Sequence, residues 1–125
     1  DSRIYRIRNN SIEQLSEDHS MVHMQLSHGL ITKEEAKKSA YKNVITRAIG
    51  TDKTVEVDTR DEEAMKGDVI LICSDGLSSL AEDKDMLDIV NQCDGDLDNA
   101  CEKLIDLANF NGGDDNITTI LVKFL

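Results

Sequence analysis

The sequence has no proline and no tryptophan, and only 3% of its 125 residues are aromatic. A buried core must therefore be built from isoleucine, leucine, valine, alanine and methionine. No apolar run reaches the roughly 18 residues that a membrane-spanning helix needs, and no signal-peptide pattern opens the chain. We expect one small domain with no membrane segment.

Positive charge is also scarce, because the formal net charge is −11. Such a balance argues against nucleic acid or an anionic membrane as a partner, and it is compatible with a cation-binding site. The cysteines are odd in number and lack CxxC spacing, and they are Cys73, Cys93 and Cys101. This pattern indicates reduced, mostly buried thiols in a cytoplasmic protein.

Several familiar catalytic motifs are missing. The chain has no Gly-x-Ser-x-Gly elbow and no glycine-rich phosphate loop. His19 and His23 have the i, i+4 spacing of a helical ligand pair, with His28 nearby, but no HExxH motif surrounds them. We therefore expect His19 to hold a loop through hydrogen bonds and do not expect a zinc site.

The acidic stretch 94–98 imitates the start of a calcium-binding EF-hand loop. The imitation fails, because Asn99 stands where glycine is needed and Ile105 stands where a bidentate glutamate is needed. We interpret Asp96 as the N-cap of a helix and the neighbouring aspartates as a solvated face.

Hydrophobic periodicity and turn residues predict most of the remaining elements. The second predicted helix begins at a capping box, Thr32 with Glu35, and carries a narrow stripe of mostly small residues up to Gly50. The predicted elements are a hairpin over Arg3–Leu15 turning at Asn9-Asn10, helices over Met21–Leu30, Thr32–Gly50, Asp83–Cys93 and Leu97–Phe110, an edge strand over Thr54–Asp58, and a last strand over Ile117–Leu125.

The most informative stretch is Val69–Cys73, an apolar run that predicts a central strand buried on both faces. It ends in Ser74-Asp75-Gly76, and two interpretations of this ending are open. The first is a simple turn, with Leu77–Ala81 continuing as a turn region. The second is a carboxylate delivered to a cleft at the strand end, with Gly76 freeing the backbone.

A second acidic turn, Asp114-Asp115-Asn116, precedes the last predicted strand. If the two strands pair antiparallel, Asp75 and Asp115 meet at one rim of the sheet. Two neighbouring carboxylates repel unless a cation neutralises both. Oxygen ligands suit Mg²⁺ or Mn²⁺ far better than zinc, so this pair predicts a divalent-metal site.

Five motifs occur in order: Asp1-Ser2-Arg3-Ile4-Tyr5, Asp18-His19-Ser20, Asn43–Gly50, Ser74-Asp75-Gly76-Leu77 and Gly112–Asn116. With these motifs the chain resembles the C-terminal half of a bacterial PP2C-type (PPM) metal-dependent serine/threonine phosphatase. The resemblance implies an α+β fold, part of an α-β-β-α sandwich with mainly antiparallel sheets. Residues 1–125 would be the C-terminal portion of a single phosphatase domain, with a flap at about 20–50.

The resemblance also implies a chemistry, namely hydrolysis of phosphoserine and phosphothreonine by a metal-activated water. Asp75 and Asp115 fall on the family's metal-ligand positions, and Asp1 falls on the position that serves a third, weaker metal. The cofactors would be Mn²⁺ or Mg²⁺. The partners would be phosphorylated proteins, substrates of a serine/threonine kinase in the cytoplasm.

One departure from the family pattern limits the expected activity. The family's phosphate-binding arginine and its Asp-Gly-x-Gly-Gly motif, both from the N-terminal half, are not in this sequence. We therefore expect the chain alone to be inactive, and to dimerise or to depend on an N-terminal half. The alternative is a non-catalytic module that binds phosphoproteins. Retention of Asp75 and Asp115 favours the enzyme.

Overall fold

A computed structural model describes all residues from Asp1 to Leu125. In chain order its elements are β1 (Arg3–Arg8), β2 (Ser11–Gln14), α1 (Met21–Ser27), α2 (Lys33–Lys38), β3 (Val69–Cys73), α3 (Asp75–Ser78), α4 (Asp83–Gln92), α5 (Leu97–Phe110) and β4 (Thr119–Lys123). The chain divides into two compact units: a smaller one of Asp1 with 18–62, and a larger one of 2–17 with 63–125. None of the helices is long and apolar enough to span a lipid bilayer.

The larger unit is built on a four-stranded sheet in the order β2-β1-β3-β4, with every neighbouring pair antiparallel. The predicted hairpin is confirmed. Asn9 and Asn10 form its two-residue turn with φ angles of 51° and 58°, which is the left-handed geometry that lets the turn follow the twist of the strands. The α+β class with an antiparallel sheet is likewise confirmed.

The predicted helices α4 and α5 are confirmed and belong to the larger unit, and Asp96 caps α5 by accepting a hydrogen bond from the Asn99 amide at 3.1 Å. The prediction of a turn region after β3 is wrong, because α3 begins at Asp75. The sheet and these helices share one hydrophobic core. Its fully buried members include Tyr5, Leu71, Leu77, Met86, Leu104 and Ala108.

The two faces of β3 differ, so the prediction of a strand buried on both faces is wrong for this chain. Leu71 and Cys73 face the core, whereas Ile72 is 36% exposed. Ile72 pairs with Ile4 on one side and with Ile120 on the other, so an apolar row crosses three strands. We call this the open sheet face, and its exposed members are Ile4, Ile72, Ile120, Val122 and Phe124.

An ion pair between the partly buried Arg8 and the buried Asp68 joins the end of β1 to the segment before β3. Arg8 donates two hydrogen bonds to the Asp68 carboxylate, at 2.7 Å from Nε and 2.6 Å from Nη2, and a third to the Glu63 carbonyl at 2.9 Å. The Met65 amide also donates to Asp68 at 2.9 Å. Asp68 is only 2% exposed, so the segment before β3 is anchored to the end of β1.

The smaller unit contains α1 and α2, and its turn chemistry was predictable. Gly29 ends α1 with φ at 71°, and the Leu30 amide donates to the Gln25 carbonyl at 2.9 Å, as in a Schellman motif. The capping box of Thr32 and Glu35 at the start of α2 is present.

Two predictions for the smaller unit are wrong. The helix predicted up to Gly50 ends at Lys38, because the chain turns and residues 44–46 pair with residues 19–21. The Met21 amide donates to the Val44 carbonyl, and the Thr46 amide donates to the His19 carbonyl, both at 2.9 Å. These long-range bonds outweigh local helix propensity. The predicted edge strand over 54–58 is irregular, with no strand partner.

Side chains hold this irregular segment. Arg47 donates to Asp58 Oδ1 at 2.7 Å, and His19 Nε2 lies 2.6 Å from Asp58 Oδ2. The prediction that His19 holds a loop by hydrogen bonding is confirmed. These hydrogen bonds, first from Arg47 and then from His19, lower the pKa of the Asp58 carboxyl. Asp58 thus remains the acceptor that fastens the segment.

Candidate metal centre

The two acidic turns meet at one end of the sheet. Antiparallel pairing of β3 with β4 ends at Cys73 opposite Thr119, and Ser74 continues the contact. Its amide donates to the Thr118 carbonyl at 3.0 Å. Its hydroxyl accepts from the Thr118 amide at 2.9 Å and donates to the Asn116 carbonyl at 3.3 Å. The segments that carry Asp75 and Asp115 are therefore tied together.

Asp75 is the first residue of α3 and is half-buried. The buried Gly76 follows it, and a Cβ on Gly76 would lie 2.1 Å from the Asn116 carbonyl oxygen. Because Gly76 has no left-handed φ, its role differs from the one expected from the sequence. Gly76 is not needed for an unusual backbone angle. Because it has no side chain, the segment at Asn116 can approach more closely than any other residue would allow.

Asp115 is exposed in the loop between α5 and β4, and its Oδ1 accepts a hydrogen bond from the Asn116 amide at 2.7 Å. This local bond orients the carboxylate. Asp1 is exposed and belongs to the smaller unit. The structure thus brings the Asp75 and Asp115 turns together, and the proximity of Asp1 to Asp75 stays a prediction.

The donor chemistry fits a hard divalent cation. Carboxylate oxygens are the ligands that Mg²⁺ and Mn²⁺ prefer. The 125 residues form no group of three or more His, Cys, Asp or Glu side chains that could hold a metal ion, so the rim offers two carboxylates. The rim can therefore supply part of a coordination shell.

Sequence reasoning missed Ser74 and the true role of Gly76. Both act across a separation of about forty residues, Ser74 on Thr118 and Gly76 on Asn116. Their only signal in the sequence was their position beside Asp75 in a turn-like tripeptide. Nothing in a single sequence states which distant backbone group a serine hydroxyl will reach.

Comparison with known proteins bears on the family of the chain. No protein-family model matches the chain. It is 42% identical over 123 residues to the serine/threonine phosphatase Stp of Listeria welshimeri, covering 98% of this chain and 48% of that protein. It is 40% identical to the protein phosphatase PhpP of Streptococcus pneumoniae, covering 98% of this chain and 50% of that one. The chain spans about half the length of these relatives.

Solved structures with a similar fold are also serine/threonine phosphatases. The serine/threonine phosphatase of S. agalactiae superimposes with a TM-score of 0.95 at 38% identity, covering all of this chain and 51% of that one. The catalytic domain of the phosphatase PstP, solved with two manganese ions, superimposes with a TM-score of 0.79 at 34% identity, covering 97% and 49%. Sequence and fold together therefore identify the chain as a homologue of the bacterial PP2C-type (PPM) serine/threonine phosphatases, matching a segment of about half their length.

Proposed function

We propose that this chain supplies one side of the active site of a metal-dependent protein phosphatase acting on phosphoserine and phosphothreonine. The observation that carries the proposal is that the two acidic turns contact each other. Ser74 accepts a hydrogen bond from the Thr118 amide, and Gly76 packs against the Asn116 carbonyl. Relatives that are named serine/threonine phosphatases support it.

Asp75 and Asp115 are each held in position by a different local contact, which suits them as ligands. Asp75 is the first residue of α3, and the residue after it, Gly76, packs tightly against the segment at Asn116. Asp115 is oriented by its hydrogen bond from Asn116. Bound Mn²⁺ or Mg²⁺ ions would neutralise phosphate charge and lower the pKa of the attacking water. The two carboxylates would place those ions at the rim of the sheet.

Further parts of the proposal rest on the family resemblance. Asp1 would serve a third, weaker ion beside Asp75. Residues 1–125 would form the C-terminal portion of one phosphatase domain, with a flap at about 20–50 beside the site. The substrates would be cytoplasmic proteins phosphorylated by a serine/threonine kinase. The open sheet face would pack against a second sheet of the complete sandwich.

The test is a chimera in which this chain replaces the matching half of the L. welshimeri phosphatase. Phosphate release from phosphoserine and phosphothreonine peptides is measured with Mn²⁺, with Mg²⁺ and after chelation. We expect metal-dependent turnover from the chimera and none from this chain alone, because the family's Asp-Gly-x-Gly-Gly motif and phosphate-binding arginine are not in this sequence.

The matched variants are Asp75→Asn, Asp115→Asn and Asp114→Asn. The first two should reduce turnover at least about a hundredfold, since each removes a charged ligand. Asp114→Asn makes the same change one residue away and should retain turnover. A chimera that binds the phosphopeptide without releasing phosphate would favour the non-catalytic binding module instead.

A further inference from the structure

We propose that Ser74 is a positioning residue for the metal centre: its hydroxyl sets the separation of the Asp75 and Asp115 carboxylates. The inference rests on the proposed function, because it concerns how the same rim is assembled. It assigns to Ser74 a task distinct from that of the carboxylates, which would themselves contact the ions.

The Ser74 hydroxyl does not cap the helix that follows it. Ser74 occupies the N-cap position of α3, with φ at −77° and ψ at 167°. A serine there ordinarily accepts a hydrogen bond from an amide in the first helical turn. The Ser74 side chain makes no such bond, so α3 gains nothing from its hydroxyl as a cap.

The Ser74 hydroxyl instead bonds to the opposing segment before β4. Its oxygen accepts a hydrogen bond from the Thr118 amide at 2.9 Å, and its O–H donates one to the Asn116 carbonyl at 3.3 Å. Together with the backbone bond from the Ser74 amide to the Thr118 carbonyl at 3.0 Å, three hydrogen bonds join one residue to the opposing segment. The Ser74 side chain therefore extends the contact between the two segments beyond the last β3–β4 residue pair.

The two aspartates are sequence neighbours of the residues that make these contacts. Asp75 lies between Ser74 and Gly76, and both of these contact the opposing segment. Asp115 directly precedes Asn116, whose carbonyl accepts a hydrogen bond from the Ser74 hydroxyl and lies against Gly76. Each aspartate is thus one peptide unit away from a fixed point.

Metal binding is sensitive to such positioning. Mg²⁺ and Mn²⁺ sites require ligands near about 2.0–2.2 Å with little tolerance in angle, and residues that orient ligands typically change metal affinity by about 10–100-fold when they are lost. Without the hydroxyl, the Thr118 amide and the Asn116 carbonyl lose a partner and the rim can spread. Ser74→Ala should therefore weaken the site while both ligands remain.

The experiment titrates this 125-residue chain with Mn²⁺ and follows free Mn²⁺ by electron paramagnetic resonance, together with paramagnetic broadening of amide signals by nuclear magnetic resonance. In the wild type, Mn²⁺ should broaden the amides of 74–78 and of 114–118 at the same concentration. In Ser74→Ala the dissociation constant should rise about tenfold, and the broadening of the two segments should no longer coincide.

Three variants make the result specific. Ser79→Ala makes the same change at an exposed serine at the other end of α3 and should bind as the wild type does. Ser74→Thr keeps the hydroxyl and should restore most of the affinity. Ser74→Cys preserves size with a weaker hydrogen-bonding group and should be intermediate, which keeps the test valid if Ser74→Ala fails to fold.

The outcomes separate the two proposals. If Ser74→Ala and Ser74→Cys bind Mn²⁺ like the wild type while Asp75→Asn does not, the role of Ser74 is refuted and the metal centre stands. If the wild type binds no better than Asp75→Asn, this chain holds no metal ion at the rim and the role of Ser74 is refuted, whereas the proposed function is tested separately by the chimera. Loss in Ser74→Ala with recovery in Ser74→Thr supports both.

Discussion

Gly76 lies against the backbone carbonyl of Asn116 so closely that a Cβ on Gly76 would stand 2.1 Å from the carbonyl oxygen. This contact joins the segment after β3 to the segment before β4 at the point where both carry aspartates. Real Cβ atoms do not approach other atoms so closely, so glycine is required at this position for steric reasons. The candidate metal centre therefore depends on glycine at position 76 as well as on the two aspartates.

Gly76→Ala should separate the two segments, since the new methyl group and a backbone carbonyl cannot occupy the same space. We expect a loss of about 1–3 kcal/mol in the free energy of unfolding, typical of an overpacked site, and weaker Mn²⁺ binding. Urea unfolding and Mn²⁺ titration measure the two effects.

The control for Gly76 is Gly67→Asn. Gly67 has open space around it and φ at 90°, a backbone region that asparagine tolerates better than most residues. Its cost in stability should be smaller, and Mn²⁺ binding should be unchanged. A Gly76→Ala variant that is as stable as the wild type and binds Mn²⁺ equally well would contradict the steric account.

The Arg8–Asp68 ion pair should shape the acid limb of stability. Hydrogen bonds from Arg8, followed by the one from the Met65 amide, lower the pKa of the Asp68 carboxyl from 3.8 to about 2. Since the folded-state pKa is lowered, the stabilisation is fully present above pH 3.8 and is lost as the pH falls through about 2. Asp68→Asn should remove this part of the pH dependence.

Urea unfolding between about pH 2 and pH 6 measures that dependence. Arg8→Ala should also remove it, because the principal donor is gone. Arg6→Ala is the comparison on the same strand: Arg6 pairs with the exposed Glu13 at 2.7 Å and its charge contributes least to the lowered pKa of Asp68, so most of the pH dependence should remain. Equal pH dependence in the wild type and Asp68→Asn would refute the assignment.

Sequence reasoning succeeded where the signal was local. The Asn9-Asn10 turn, the Thr32 capping box and the Asp96 cap each depend on neighbours within a few residues, and each was predictable from residue chemistry. It failed over 39–50, where partners near residues 19–21 override helix propensity. For the same reason the ties of Ser74 could not be read from the sequence, although the pairing of the two acidic turns could be inferred.

The smaller unit should be the more mobile part of the chain. In α1 only Val22 is buried, and in α2 only Ala36 is, so each helix gains little from burial. Backbone amides of α1 and α2 should exchange with solvent faster than those of β3, as measured by hydrogen exchange.

A variant sharpens the comparison of exchange rates. Thr32→Ala removes the capping box and should destabilise α2 by about 1 kcal/mol, which would accelerate exchange in α2 without affecting β3. Exchange in α1 and α2 as slow as in β3 would contradict the prediction of a mobile flap.

The open sheet face should make this chain self-associate. Ile72 and Ile120 lie opposite each other on neighbouring strands and are 36% and 50% exposed. Exposed apolar patches of this kind mark surfaces that are covered in the functional assembly. Sedimentation velocity at rising concentration should show dimers or larger species.

Charge on that face tests the cause. Ile120→Lys places an ammonium group in the apolar row, where association would have to remove it from water, and should weaken self-association at least about tenfold, or 1.4 kcal/mol. Because Ile120 is half exposed, the fold itself should tolerate the change. Ile49→Lys, at a residue that is 94% exposed in the smaller unit, is the matched control and should associate as the wild type does. If the wild type sediments as a monomer throughout, the open sheet face needs no cover; if both lysine variants dissociate it equally, net charge and not this face drives the association.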